Sequence, residues 1–172
     1  MIIVLFGPPG VGKTYIGGVL ESKLSMHFFD ADVLFDDEYR RSIRSGNYSD
    51  DMRDKFFEKL SSTVENILTK LKNDEVLVVA QAFAKDKNRI DFLHRFDNQV
   101  KFVLVHAPKT LAHNRVMDRI KNLDHIIDEN AFEYVWSLFE LPSVQHDDFV
   151  NDELHDDRII SKFSKYKECK TL

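Results

Sequence analysis

Five apolar residues, Ile2-Ile3-Val4-Leu5-Phe6, run straight into Gly7-Pro8-Pro9-Gly10-Val11-Gly12-Lys13-Thr14, and no other stretch of the chain constrains its fold as strongly. The spacing of Gly, four residues, Gly, Lys and Thr is that of a loop that wraps phosphate. Glycines let the backbone curl until successive N–H groups point inward, with no Cβ to obstruct an approaching oxygen. Lys13 is then placed to neutralise β- and γ-phosphate charge, and the Thr14 hydroxyl to ligate Mg²⁺. A helix starting near Lys13 would aim the positive end of its dipole at the same anion. Strand before and helix after is the context the motif needs, and a simple glycine turn needs neither. The chain is therefore expected to bind a nucleoside triphosphate or a ligand phosphorylated like one.

Downstream, short apolar runs alternate with helical patterns, which is the signature of a parallel sheet covered by helices. Strands are expected at residues 2–6, at His27-Phe28-Phe29 ending on Asp30, at Glu75–Ala80, at Val100–Val105 and at Phe149-Val150. Helices are expected from Lys13 to Lys23, Val33 to Arg44, 51 to 72, Lys85 to Phe96, Pro108 to Ile120, 128 to 140 and Asp156 to Lys167. Phe56, Leu60, Val64, Ile67 and Leu71 give the long central helix its apolar stripe. The expected fold is α/β, of the three-layer α/β/α P-loop type, with a five-stranded parallel sheet and a small helical lid at about 115–130. Right-handed crossovers would bring every strand's C-terminal edge to the side of the glycine loop.

The 172 residues suit a single domain spanning 1–172, and the 43% hydrophobic and 31% charged composition is that of a globular chain. A net charge of −5 with no basic stripe argues against nucleic acid as a partner. The lone Cys169 pairs with nothing internally, and no apolar stretch approaches membrane-spanning length. No charged lead or cleavable segment precedes strand one, so a cytoplasmic monomer or homodimer without membrane association is expected. The basic residues Lys162, Lys165, Lys167 and Lys170 read as a solvated helix face.

Phe29-Asp30-Ala31-Asp32 sets two carboxylates on the rim where phosphates would arrive. Phosphoryl transfer needs one carboxylate for Mg²⁺ or its waters and one to orient or deprotonate the attacking hydroxyl. Asp30 is assigned to the metal side, with Thr14, and Asp32 to the acceptor; the competing role is helix capping. Arg53 is a candidate clamp for an anionic acceptor, or else an ordinary surface arginine. Arg115 and Arg119 stand four apart on one helix face, before the polar Lys121, Asn122 and Asp124. They are candidate lid arginines that close over the transferring group, against a reading as solvated charges. Gln81 follows the third strand where a carboxylate would ordinarily ligate metal, and is expected to face the substrate. The histidines in His146-Asp147-Asp148 and His155-Asp156-Asp157 lack the spacing of a metal site.

With these residues in hand, the chain resembles the small P-loop carbohydrate kinases over residues 2–150, gluconokinase first and shikimate kinase next. Phe28-Phe29-Asp30-Ala31-Asp32 is similar to the Asp-x-Asp segment of both families. Ser45-Gly46-Asn47-Tyr48-Ser49-Asp50-Asp51-Met52-Arg53 resembles gluconokinase's Ser-Gly segment leading to Asp-x-Asp-Arg, and Leu138–Pro142 its Leu-x-x-Pro ending. The resemblance implies an ATP- and Mg²⁺-dependent phosphotransferase acting on a small hydroxylated acceptor such as gluconate. It implies catalytic roles for Lys13, Asp32, Arg115 and Arg119, and acceptor contacts from Asp32, Arg53 and Gln81. The nucleotide would be held by Gly7, Pro8, Pro9, Gly10, Val11, Gly12, Lys13, Thr14 and Tyr15, with an adenine pocket near Arg115 and Asn151. Departures fall at the acceptor end: a histidine usual after strand two is replaced by Phe35, and a Cys-Ser-Ala-Leu-Lys segment by Ala80-Gln81-Ala82-Phe83-Ala84. A polar sugar acid would want hydrogen-bond donors where Phe35 stands. Two alternatives therefore stand beside the hydroxyl kinase: a nucleotide kinase, and an ATP-binding protein that has lost catalysis.

Overall fold

Each of the five residues of the first strand, β1 (Ile2–Phe6), is buried, as continuous apolar runs in a covered parallel strand must be. In the computed structural model, which describes residues 1–122, 128–153 and 155–168, β1 is the centre of a five-stranded parallel sheet. The others are β2 (His27–Asp30), β3 (Leu77–Ala80), β4 (Val100–His106) and β5 (His146–Val150), in the order β2-β3-β1-β4-β5. Alternate residues of β1 feed two separate cores. Ile3 and Leu5 pack with α1 (Lys13–Leu24), α5 (Lys109–Asn122) and α7 (Asp156–Phe163). Ile2, Val4 and Phe6 pack with α3 (Asp50–Leu68) and α4 (Asp86–Phe96) on the other face. The remaining helices are α2 (Asp37–Arg44), α6 (Glu129–Leu138) and the short α8 (Lys165–Glu168). Register pairs both Leu5 and Asp30 with Ala80, so the ends of β1, β2 and β3 are level at one edge.

Three expected elements take a different form. The helix foreseen from Val33 to Arg44 is two pieces, a 3-10 turn over Ala31–Leu34 and then α2. Two aspartates cause the break: Asp30 accepts from the backbone N–H of Asp32, and Asp36 accepts from that of Tyr39, so each side chain starts a new element. Phe35 is left between them. The fifth strand is longer than Phe149-Val150, because His146, Asp147 and Asp148 also pair with β4. These polar residues are tolerated on an edge strand, where Asp147 is held by Lys165 and Tyr166. The last helix breaks at Ser164, whose hydroxyl donates to the Ile160 carbonyl at 2.7 Å. Asp124, Cys169, Lys170 and part of the expected lid lie outside the described residues.

Candidate active site

The glycine loop leaves β1 at Gly7 and enters α1 at Lys13. Gly12 caps that helix with φ +98° and no side-chain hydrogen bond, so the first N–H groups of α1 have no side-chain cap. A Cβ at Gly12 would stand 2.1 Å from the Asn151 amide nitrogen, and one at Gly10 would stand 2.2 Å from the Ala112 carbonyl oxygen. Neither position admits a side chain. The loop is tethered from outside: Asn151 donates to the Val11 carbonyl at 2.7 Å, and the Trp136 indole to that of Pro9 at 3.2 Å.

Beneath the loop lies a cleft of about 370 Å³ lined by both aspartates, Lys13, Thr14, Gln81 and Arg119. The Lys13 ammonium donates to the carbonyls of Gly7 and Pro8 at 2.8 and 2.9 Å. Burial pulls its pKa down to about 8, and Arg119 adds to that, while Asp32 and Asp30 oppose it. The Thr14 hydroxyl donates to Asp30 at 2.8 Å, and the other Asp30 oxygen accepts from the Asp32 N–H at 3.1 Å. Asp32 takes a hydrogen bond from the Gln81 amide at 3.2 Å. Burial lifts its pKa to about 6, reinforced by Asp30 and opposed by Lys13, the Gln81 hydrogen bond and Arg40. The carbonyl end of Gln81 accepts from the N–H of Ala82, so both ends of that amide are engaged. Asp30 thus caps the 3-10 turn and faces Thr14 at once, while Asp32 is the carboxylate pushed toward neutral pH.

The expected lid arginines diverge. Arg119 lines the cleft, whereas Arg115 donates to the Asn151 carbonyl at 3.0 Å beside Gly12. Tyr15 turns away from the loop, its hydroxyl bonded to Asp156 at the start of α7. Val11 packs into the core and offers only its backbone. Arg53 is absent from the cleft lining. It is 5% exposed, is paired with Asp50, donates to the Tyr48 carbonyl at 3.2 Å and lies over the Tyr48 ring at 5.1 Å. It lines a separate 50 Å³ cavity that shares Phe35 and Gln81 with the main cleft. The arginine that does line the cleft from this side is Arg40, whose Nε donates to the Phe35 carbonyl at 3.2 Å. Only the helix break after Leu34 sets Arg40 beside Phe35, and the sequence offers no strong signal of it.

Arg89 belongs to no motif that would single it out in the sequence. It is fully buried between the rings of Phe6 and Phe139 and donates to the carbonyls of Phe83, Glu140 and Leu141. It ties the segment after α6 to the loop after β3, where Phe83 holds φ +45°. Among the described residues no group of three or more His, Cys, Asp or Glu side chains is placed to hold a metal ion. No helix among them is long and apolar enough to cross a membrane.

A parallel α/β sheet with a glycine loop at its C-terminal edge defines a P-loop protein. The chain belongs to the AAA domain family, whose model matches residues 3–135. It is similar to a probable gluconokinase of Dictyostelium discoideum, 29% identical over 175 residues that cover 96% of this chain and 86% of that protein. Among solved structures, a sugar kinase from Janibacter sp. HTCC2649 matches with TM-score 0.77 at 17% identity, covering 98% of this chain and 95% of that one. A gluconokinase from Sinorhizobium meliloti 1021 matches with TM-score 0.71 at 18% identity, covering 97% and 93%. At these identities the two structures speak for the fold alone. The resemblance to the small P-loop carbohydrate kinases, read first from the motifs, holds across sequence and fold.

Proposed function

We propose that this protein is an ATP-dependent kinase that transfers the γ-phosphoryl group to a hydroxyl of a small hydroxy acid, of the gluconate or shikimate kind. The observation that carries the reading is the convergence in one cleft of Lys13, the Thr14–Asp30 pair, Asp32 and Arg119 under the glycine loop. In this reading Gly7–Thr14 cradles the phosphates with backbone N–H groups, and the bound anion raises the Lys13 pKa again and so keeps the ammonium charged. Asn151 is fully buried with its amide donating to the Val11 carbonyl, so its part in nucleotide binding is to hold the loop in shape.

Thr14 and Asp30 fit Mg²⁺, because a hydroxyl and a carboxylate 2.8 Å apart are hard oxygen donors that phosphate oxygens would complete. When bound there, the ion neutralises charge on the β- and γ-phosphates. Asp32 takes the proton of the acceptor hydroxyl as the new O–P bond forms and the bond to the β–γ bridging oxygen breaks, releasing ADP. Gln81 orients Asp32, and Arg119 stabilises charge on the transferring group. This gives the amide at position 81 a positioning role where a metal-ligating carboxylate would be usual, and it argues against the reading of lost catalysis.

The test is a coupled ADP-release assay over sugar acids, shikimate and nucleoside monophosphates, run beside ATP binding. Acceptor-dependent turnover supports the reading, and ATP binding without turnover on any acceptor refutes it. Turnover restricted to nucleoside monophosphates would make the protein a nucleotide kinase.

A further inference from the structure

Away from the glycine loop, the cleft changes character. Val33 is 70% exposed, one of three large hydrophobic side chains left so among the described residues, and it lines the cleft with Phe35, Ile43 and Val135. Phe35 is not free to swing aside. Its ring stacks on Phe56 with centroids 4.5 Å apart and planes 16° apart, and Tyr39 packs at 6.0 Å. The apolar wall therefore combines an exposed Val33 with a half-buried Phe35 braced by Phe56 and Tyr39.

Polar groups at this end are few. They are Asp32, Arg40 and Gln81, whose amide spends one N–H on Asp32 and keeps one. Arg40 uses Nε on the Phe35 carbonyl, and among the described residues no carboxylate is paired with it. Its two terminal amino groups remain for a ligand, the geometry that suits one carboxylate. Lys13 and Arg119 sit at the glycine-loop end, so a second phosphate on the acceptor would find a single cation. An acyclic polyol acid carries a hydroxyl on nearly every carbon, and each hydroxyl laid unpaired against Phe35 or Val33 is penalised by its lost hydration.

We propose that the acceptor is a hydroxy acid with one hydrocarbon edge, its carboxylate on Arg40, that edge on Phe35 and Val33, and its reacting hydroxyl on Asp32. This rests on the kinase reading above, and the phosphoryl transfer balances as given there. Arg40, rather than Arg53, is then the residue that reads the acceptor's charge.

The experiment measures ADP release at saturating ATP with shikimate, gluconate, sorbitol and AMP, and titrates the same compounds calorimetrically into the protein. Shikimate, which has a hydrocarbon ring edge, should exceed gluconate by about tenfold or more in kcat/KM, with sorbitol and AMP well below. Arg40→Gln should raise KM for the acid roughly 10- to 100-fold with kcat little altered, as loss of a charge-assisted hydrogen bond predicts. Phe35→Asn should shrink the preference for shikimate over gluconate. Preference for gluconate or AMP, or an Arg40→Gln KM equal to wild type, overturns the proposal while leaving the kinase reading intact. If nothing turns over, the kinase reading fails and calorimetry decides the acid site: shikimate binding lost in Arg40→Gln supports it, and no binding of shikimate to the wild type overturns it.

Discussion

At the donor end of the cleft, recognition is carried by the main chain. The glycine loop offers N–H groups, Lys13 and Asn151 bond to its carbonyls, and Trp136 holds Pro9 from α6. At the other end, where we place the acceptor, the cleft is lined by side chains on the 3-10 turn and α2, with Phe35 and Arg40 set by a break between two short elements. A main-chain site needs a fixed local spacing of small residues, whereas a side-chain site needs only that elements meet in space. The first is written in consecutive letters and the second is not. Asp32 belongs to both ends, since it neighbours Lys13 electrostatically and lines the cleft with Phe35 and Arg40.

The largest effect should therefore come from Asp32→Asn, which keeps the shape and removes the base. We expect kcat to fall on the order of 10³-fold, within the range for loss of a general base, with nucleotide affinity nearly unchanged. Trp136, the only tryptophan, supplies a fluorescence reporter of nucleotide binding because its indole bonds the loop. Activity within tenfold of wild type would remove Asp32 from the chemistry.

Gly12→Ala strikes the donor end alone. At φ +98° an L-residue is strained by about 1–2 kcal/mol, and the added Cβ meets the Asn151 amide at 2.1 Å. Nucleotide affinity should drop roughly 30-fold, and the melting temperature should fall with it. Unchanged ATP affinity would mean that the loop does not bind phosphate through its backbone.

These two positions also mark how far the chain could be read without coordinates. The glycine loop, the five parallel strands and the two aspartates were legible because each rests on local spacing or on apolar runs, whereas the strand order appears only in the fold. The polar start of β5 was not, since His146-Asp147-Asp148 reads as loop until Lys165 and Tyr166 are seen to hold Asp147. Nor was the place of Arg40 in the cleft lining, because it depends on Asp36 starting a second helix after the 3-10 turn. Arg115 and Arg119 were expected to act alike from one helix face. Their neighbours differ, so one meets Asn151 and the other the cleft.

The pH profile should sharpen the boundary between the two ends. The Asp32 carboxyl is raised to about 6 by burial and by the neighbouring Asp30 charge, and it must be unprotonated to accept a proton. Activity as kcat/KM should accordingly be full above that pH and fall about tenfold per unit below it. Lys13 is lowered to about 8 and must be protonated to attract phosphate, so nucleotide affinity should weaken as pH rises through that value. Asp32→Asn should abolish the acid limb and move the alkaline one to lower pH, because the Asp32 charge helps to hold the Lys13 pKa up. An acid limb still present near pH 6 in that variant would assign the titration to another group.

The smallest effect on activity is expected at Arg53, and for that reason it discriminates best between a clamp and a structural residue. Its guanidinium is buried beside the Tyr48 ring, and its partner Asp50 is largely solvent-exposed, 92% by side chain, so removing the arginine strands no buried charge. The Tyr48 carbonyl keeps a second donor in the Tyr134 hydroxyl at 3.2 Å. Arg53→Met keeps the apolar stem and loses the hydrogen bond to the Tyr48 carbonyl, the pairing with the exposed Asp50 and the ring contact, which together contribute about 1–2 kcal/mol. In a chain of this size that is a fall of roughly 3–6 °C in Tm. The acceptor KM should stay within about threefold, because the cleft wall is Phe35 and the charge reader is Arg40. A KM raised tenfold at unchanged Tm would reverse the assignment and return the acceptor's carboxylate to Arg53.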